Sequence, residues 1–436
     1  MSDLGMHTDQ YELTMLEAAL ASGLGAKKVV FEVFGRSLRG YRYGVVAGTA
    51  RMLEAIQNFR IDDNDLRWLV DSRIINANTA RWLEAYRFTG TVRGYREGEL
   101  YFPYSPILTI EGSFAEAVVL ETLVLSIMNF DTAVAGLSAR IRVAAGGDKT
   151  LIEMASRRTH EEAAIALARA AYLAGFDATS NLWAGRKYGI PTTGTSAHAF
   201  TMGYNSEEEA FAAQVAALGC GTTLLVDTYD VPVGIERAAA AGGFGLGAIR
   251  IDSGDLETQA RMARRELDAL GCIETKIVLS GDLDEFKIAA MVAHDTPAQV
   301  MGVGTRLVTG AMSPGLVYKL VAVERDGSMM PVSKSSQGKA TVGGAKTAFR
   351  TYQRGKMATE VLSLNHRSDL GESLQVDLLA EGTGLAQFTL ADSRQWLRSR
   401  LETLPMEAFE LDNYLPLLEA KIFDNGMVRN GLEVKV

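Results

Sequence analysis

Cysteine is nearly missing from this chain. Cys220 and Cys272 are the only two in 436 residues, too few for a disulfide framework or a four-thiolate zinc site, and in keeping with a reduced cytoplasm. Cations are also short: 44 Lys and Arg stand against 53 Asp and Glu, a net charge of −9. A nucleic-acid partner, held through clustered Lys and Arg along its phosphates, is therefore not expected. Asp3 and Asp9 occupy the place where a secretory signal carries basic residues, and no uncharged apolar run reaches the roughly 20 residues of a membrane helix. The expectation is a cytoplasmic protein with no membrane contact. No GxxxxGK[ST], HExxH, CxxC or GxSxG precedes a plausible element, which disfavours a P-loop ATPase or a zinc hydrolase. An acidic chain that handles anions must gather its cations and backbone amides locally, in short motifs rich in Arg and Gly.

The chain has ample core-forming material: 47% of residues are hydrophobic and 22% charged, ordinary globular usage. Its length exceeds what one hydrophobic core usually supports, so two domains are expected, one of them a barrel of roughly 200–250 residues. Residues 1–120 read as an N-terminal α+β domain, with a helix over 11–22 and strands over 29–34, 43–47, 89–95 and 107–111. Residues 121–315 read as an α/β barrel catalytic domain. Helical stretches at 115–145 and 161–174 lead into short β runs at 190–195, 222–228, 248–252, 276–282 and 300–305, each followed by a helical stretch. Such alternation implies parallel strands with function at their carboxyl ends. Residues 316–436 read as a C-terminal segment whose β-rich part (317–323, 330–332 and 347–352, joined through 333–346) returns to the N-terminal domain. Outer helices are expected at 392–400 and 414–422.

Chemistry-bearing residues concentrate at those strand ends. Gly194-Thr195-Ser196-Ala197-His198 joins small residues that let backbone approach a ligand to a histidine, the side chain suited to shuttling protons or accepting a phosphoryl group. A helix-start histidine with Ser196 as a cap accounts for the motif equally well. In Arg250-Ile251-Asp252-Ser253-Gly254-Asp255, Arg250 can grip phosphate and Asp252 can hold ribose hydroxyls or Mg²⁺, while Asp255 reads as a cap for the next helix. Ser280-Gly281-Asp282 offers amides for an anion at Gly281, and in Asp282 a carboxylate for a diol or metal. Gly302-Val303-Gly304-Thr305 presents successive N–H groups to a phosphate. The paired cations of Ser156-Arg157-Arg158 suit a carboxylate or phosphate, with Arg157 weighted toward function and His160 toward structure. Asp9 and Tyr11 are equally well an N-cap and a core aromatic.

Taken in order, Thr8-Asp9-Gln10-Tyr11, Phe34-Gly35-Arg36, Ser156-Arg157-Arg158, Thr179-Ser180-Asn181, Gly194 to His198, Asp227-Thr228-Tyr229-Asp230, Arg250 to Asp255, Ser280-Gly281-Asp282 and Gly302 to Thr305 resemble the nicotinate phosphoribosyltransferase family. The resemblance implies an irregular parallel α/β barrel of the type II phosphoribosyltransferase kind, with a second, β-rich α+β domain built from both chain ends. It also implies a homodimer with shared active sites. The implied reaction joins nicotinate to phosphoribosyl pyrophosphate, giving nicotinate mononucleotide and pyrophosphate, with ATP as co-substrate hydrolysed through a phosphohistidine, and Mg²⁺ as cofactor. His198 matches the phosphorylated position. By the same resemblance Asp252 and Asp282 serve the ribose and metal, Gly304 and Thr305 the 5-phosphate, and Arg250 the sugar phosphate. Gly281, Ser180 and Asn181 line the substrate, Arg157 faces the pyridine carboxylate or pyrophosphate, and Tyr11 stacks on the base from the partner subunit.

Two positions depart from the pattern. Met154-Ala155 replaces the family's Phe-Gly, exchanging one aromatic face of the base sandwich for a thioether; and Arg36-Ser37-Leu38 continues into Arg39 instead of proline. The competing readings are a nicotinamide enzyme, disfavoured by Arg157-Arg158 with Ser180-Asn181, and a quinolinate phosphoribosyltransferase, disfavoured by the sequence around His198. A non-catalytic phospholigand-binding barrel would leave His198 and the carboxylates without employment.

Overall fold

The structure is a computed structural model that describes residues 4–334, 342–364, 367–385, 388–424 and 427–429. Residues 335–341 of the expected connector 333–346 lie outside the described residues. The chain divides into two compact units: Met1–Gly136 with Met312–Val436, and Leu137–Ala311.

The first unit is built on a seven-stranded antiparallel sheet that draws on both ends of the chain. Its interior strand Lys28–Gly35 pairs with Leu316–Arg325 on one side and Leu108–Ser113 on the other. Seven of that strand's eight residues are buried, the mark of a strand covered on both faces. Phe31 stacks on Tyr318 across the pairing, with ring centroids 4.6 Å apart. A five-stranded sheet lies in the same unit, around Thr347–Gln353 and Lys356–Ser363.

This unit also buries charge. Arg350 is fully buried and donates to Glu360 Oε2 (2.7 Å), to the Leu100 carbonyl (2.7 Å) and to Glu99. Glu99 Oε2 accepts further from Arg400 Nε (2.9 Å) and Trp396 Nε1 (3.0 Å), and Glu360 Oε1 from the Tyr95 hydroxyl (2.7 Å) and Ser105. Burial beside Glu360 holds the Tyr95 hydroxyl well above the ordinary tyrosine range.

The second unit holds six strands, all parallel: β1 (Thr150–Glu153), β2 (Ala178–Thr179), β3 (Thr223–Leu225), β4 (Ala248–Ile251), β5 (Lys276–Leu279) and β6 (Val300–Val303), in the order β2-β1-β6-β5-β4-β3. Among the described residues no pairing joins β2 to β3, so the strands form an open arc. Ile152, Ala248, Val278 and Val300 form an apolar cluster on the sheet, with Met154 and Ala178 packed against it. Helices return the chain between strands: Glu161–Leu173, Glu207–Leu218, Val231–Gly242, Leu256–Ala269 and Glu285–Ala293. Each of the last three starts on an aspartate cap. Asp230 accepts from Val233 N (3.1 Å), Asp255 from Thr258 N (3.2 Å), and Asp284 from Lys287 N (2.7 Å).

Several expectations change. Residues 190–195 form no strand: Pro191 lacks an N–H for a ladder, and only Thr192 bridges Thr179. β1 and β2 are not among the strands expected from sequence; β2, at two residues, is too short to show a period. The expected helix 414–422 is absent, because Pro416 interrupts it, and the strand Lys421–Asp424 follows instead. Helices Thr49–Gln57, Asp63–Asp71 and Ala77–Glu84 fill the stretch between strands that was read without helices. The helical stretch Phe114–Ala145 is long and apolar enough in composition to cross a membrane, and 61% of its apolar window is buried in the structure. A search for uncharged runs misses it because Glu116, Glu121 and Asp131 punctuate it.

Candidate active site

In the second unit, the βα turns after β3, β4 and β5 each carry two carboxylates: Asp227 and Asp230, Asp252 and Asp255, Asp282 and Asp284. The later member of each pair caps the following helix. The earlier member is left at the strand end, and there the polar groups converge.

Arg250, whose side chain is only 11% exposed, is the hub. Its Nε donates to Ser280 Oγ (2.7 Å), Nη1 to Thr195 Oγ1 (2.9 Å) and to the Ser196 carbonyl (3.4 Å), and Nη2 to Asp252 Oδ1 (2.8 Å). Ser280 Oγ closes the triangle by donating to the same Asp252 Oδ1 at 2.5 Å. One of the five guanidinium N–H groups remains for a ligand. Arg250 thus ties the ends of β4 and β5 to the loop that precedes His198.

Asp227, given no role from sequence, couples this hub to the histidine. Its side chain is 1% exposed, and its Oδ2 accepts from the Asp252 amide (2.8 Å) and the Ser253 hydroxyl (2.8 Å). Its Oδ1, without a hydrogen-bond partner among the described residues, lies 4.0 Å from His198 Nε2. His198 Nδ1 is 3.2 Å from Thr228 Oγ1. The imidazole, 39% exposed, therefore has a hydroxyl at one nitrogen and a buried carboxylate near the other. The repeated carboxylate spacing of the turns, Asp227 with Asp230 and Asp252 with Asp255, is the sequence signal that could have singled out Asp227.

Glycines let neighbouring strand ends touch. A Cβ on Gly281 would stand 2.6 Å from the Asp252 carbonyl oxygen, one on Gly304 would stand 2.9 Å from the Met154 carbonyl, and one on Gly302 would stand 2.8 Å from Met154 Sδ. Met154 thus lies over Gly302 and against the apolar cluster. Thr305 opens the short helix Thr305–Thr309. Asp282, exposed, sits in the left-handed region at φ 43°, where its carbonyl accepts from Lys287 Nζ (2.9 Å). An exposed carboxylate on strained backbone at a strand end is a feature of functional turns.

At the other side of the arc, Arg157 and Arg158 are exposed, and among the described residues neither has an ion-pair partner. Ser180 is exposed beside them. Asn181 is committed: its Oδ1 caps the helix Leu182–Tyr188 through Ala184 N (2.8 Å), and its Nδ2 donates to Ser156 Oγ (3.0 Å). Behind them, buried Glu153 accepts from Thr179 Oγ1 and the Ala155 amide, and burial raises its pKa. It braces the ends of β1 and β2, a role the sequence reading did not assign. Tyr11 belongs to the first unit, on the helix Gln10–Ser22, where it is 45% exposed. Partial burial and the neighbouring Glu121 push its hydroxyl up to about 12.

Among the described residues no three His, Cys, Asp or Glu side chains gather as a metal site. A Mg²⁺ ion held by one or two carboxylates and substrate phosphates needs no such cluster. Asp252 Oδ2, which takes part in no hydrogen bond among the described residues, and the exposed Asp282 carboxylate are the groups that could hold such an ion.

Parallel strands whose carboxyl ends gather a histidine, an arginine hub, carboxylates and glycine-lined turns define the α/β class in which enzymes carry their sites at the strand ends. The comparisons with known proteins narrow that class. The family model for the nicotinate phosphoribosyltransferase (NAPRTase) N-terminal domain matches residues 6–129. The chain is 51% identical to nicotinate phosphoribosyltransferase pncB1 of Mycobacterium tuberculosis over 93% of its own length and 92% of the relative's. It is 38% identical to nicotinate phosphoribosyltransferase of Bacillus subtilis, covering 82% of this chain and 75% of that one. The structure also matches the crystal structure of human nicotinic acid phosphoribosyltransferase, with 25% identity, a TM-score of 0.84, and 96% and 98% of the two chains covered. The chain belongs to the nicotinate phosphoribosyltransferase family.

Proposed function

We propose that this chain is a nicotinate phosphoribosyltransferase of NAD salvage. It joins nicotinate to phosphoribosyl pyrophosphate, with ATP hydrolysis coupled through a phosphohistidine at His198. The observation that carries this reading is the continuous linkage from the Arg250 hub through Asp252 and Asp227 toward His198. In the glycosyl step, the pyridine nitrogen forms a bond to ribose C1 as the C1–oxygen bond to pyrophosphate breaks, and pyrophosphate leaves with the bonding pair. In the ATP step, a ring nitrogen of His198 takes the γ-phosphoryl group and ADP leaves; water later returns the phosphoryl group as phosphate. Asp227 supports the positive charge that the ring carries while the N–P bond exists.

Within this reading Asp252 and Asp282 hold the ribose hydroxyls and Mg²⁺, and the ion, when bound, supplies charge neutralisation for pyrophosphate. Gly281, Gly304 and Thr305 offer amides and a hydroxyl to phosphate. The remaining N–H of Arg250 reaches the sugar phosphate while the rest of the guanidinium fixes the strand ends. Arg157 and Ser180 receive the pyridine carboxylate or pyrophosphate, and Asn181 acts by holding Ser156 beside them. The unpaired cations at 157 and 158 favour nicotinate over nicotinamide. The six-stranded arc is taken as the wall of an irregular type II phosphoribosyltransferase-like barrel. The unit drawn from both chain ends is its companion domain, in a cytoplasmic homodimer where Tyr11 of the partner subunit stacks on the base.

The test is a competition assay with labelled ATP alongside. Nicotinate should turn over well above nicotinamide, and γ-labelled ATP should leave an acid-labile label on the protein that is absent from His198→Ala. Equal rates for the two bases, or label persisting in the variant, overturns the corresponding part of the reading.

A further inference from the structure

We propose that Arg306 and Glu285 are a positioning pair that holds the turn after β6 against the turn after β5. The pair thereby sets the spacing between the Gly304-Thr305 turn and the Asp282 turn. The inference rests on the functional reading above, which gives the first turn to the 5-phosphate and the second to the ribose.

Arg306 Nε donates to Glu285 Oε2 at 2.9 Å and Nη2 to Glu285 Oε1 at 2.6 Å, a two-point fork that fixes orientation as well as distance. Glu285 is the first residue of the helix Glu285–Ala293, with a side chain 1% exposed, while Arg306 is 32% exposed. Arg306 directly follows Thr305, and Glu285 comes just after Asp282 and the Asp284 cap. The pair therefore joins the two segments that carry the proposed ligand groups. The backbone ladder does not do this: β5 and β6 are paired only at Val278 with Val300 and Leu279 with Met301. Beyond Leu279 the first chain enters its turn, while β6 runs on to Val303 paired with β1 instead, and the fork continues the connection. Gly310 keeps room for it, since a Cβ there would stand 2.6 Å from Arg306 Nε.

A pair that served stability alone would leave ligand affinity untouched once the protein is folded. Arg142 and Asp177 supply the control. They form an ion pair at 2.5 Å on the amino-terminal side of the same sheet, where Asp177 Oδ2 also accepts from Leu151 N (2.9 Å). The experiment measures the Kd of phosphoribosyl pyrophosphate by calorimetry on the full chain. It is accompanied by KM for both substrates and the melting temperature, for wild type, Arg306→Met, Glu285→Gln, Arg306→Lys and Arg142→Met.

Arg306→Met and Glu285→Gln should raise Kd and KM for phosphoribosyl pyrophosphate by about tenfold or more while KM for nicotinate stays within about twofold. Arg306→Lys, keeping the charge but not the fork, should fall between. Arg142→Met should lower the melting temperature and leave the phosphoribosyl pyrophosphate Kd near wild type. The proposal is overturned by an unchanged Kd in Arg306→Met and Glu285→Gln, or by an equal rise in Arg142→Met. A wild-type chain that binds phosphoribosyl pyrophosphate without turning over nicotinate would sink the functional reading alone, with the Kd comparison still deciding the pair; one that binds none sinks both.

Discussion

Replacing Gly281 with alanine puts a single methyl group where the ends of β4 and β5 touch. The new Cβ would lie 2.6 Å from the Asp252 carbonyl oxygen, 3.1 Å from its carbon and 3.3 Å from Leu256 Cδ1, against 3.4 Å for ordinary contact. The closest neighbours are backbone, so the deficit of 3.4 − 2.6 = 0.8 Å must be met by moving one strand end away from the other. The Arg250 to Ser280 bond spans that seam at 2.7 Å, and a shift of 0.8 Å would stretch it to 3.5 Å, the edge of a hydrogen bond. Overpacking of this kind costs about 1–3 kcal/mol of stability. Misplacing catalytic groups by about 1 Å costs on the order of 10²-fold in rate, or about 2.7 kcal/mol of barrier. Gly281→Ala should therefore remain folded and lose about 10²-fold in kcat/KM for nicotinate at saturating phosphoribosyl pyrophosphate, with thermal denaturation run on the same preparation. A variant that melts earlier yet keeps kcat/KM within about threefold of wild type would refute the claim that the contact between these strand ends matters to the chemistry.

Gly194 offers the opposite case. Nothing lies within 4 Å of a Cβ built there, so Gly194→Ala should shift stability by no more than about 0.5 kcal/mol. If the space belongs to substrate, KM should rise several-fold, and an unchanged KM would remove that loop from the ligand's path. In the first unit, Arg350→Met strands Glu360 with only the Tyr95 and Ser105 hydroxyls. It should cost about 3–5 kcal/mol in urea denaturation. Adding Glu360→Gln should return part of the loss, and a single-variant loss below about 1 kcal/mol would show that the buried charges are not coupled as described.

The strand ends were legible from sequence because each short apolar run stops at residues with obvious chemistry, as at Ile251-Asp252 and Leu279-Ser280. Geometry revised what those residues do. Arg250 was read as a ligand cation, yet most of its donors go to protein oxygens on two loops remote in sequence, which no local motif reveals. Asn181, read as a substrate contact, also caps a helix through Oδ1 and donates to Ser156 through Nδ2. Asp227 stood in a quoted motif without a role, since its value comes from burial beside His198. The strand β2, at two residues, is too short for period-2 patterning to register, and Tyr414 to Ile422 has helical composition that Pro416 cancels. Arg306 and Glu285 look like ordinary surface charges until the fold sets one against the other.

The Arg250 hub has a consequence for how activity is gained during folding. Its partners Ser280 and Thr195 lie 30 and 55 residues away along the chain, so the site has no local precursor that a hairpin or a single helix could form early. Closing such long loops comes before any of these bonds is made, and parallel pairing of this kind is slow. Helical signal should therefore return before turnover in a refolding experiment. A chain nicked between β3 and β5 could keep much of its secondary structure while losing the guanidinium's hold on the loop before His198.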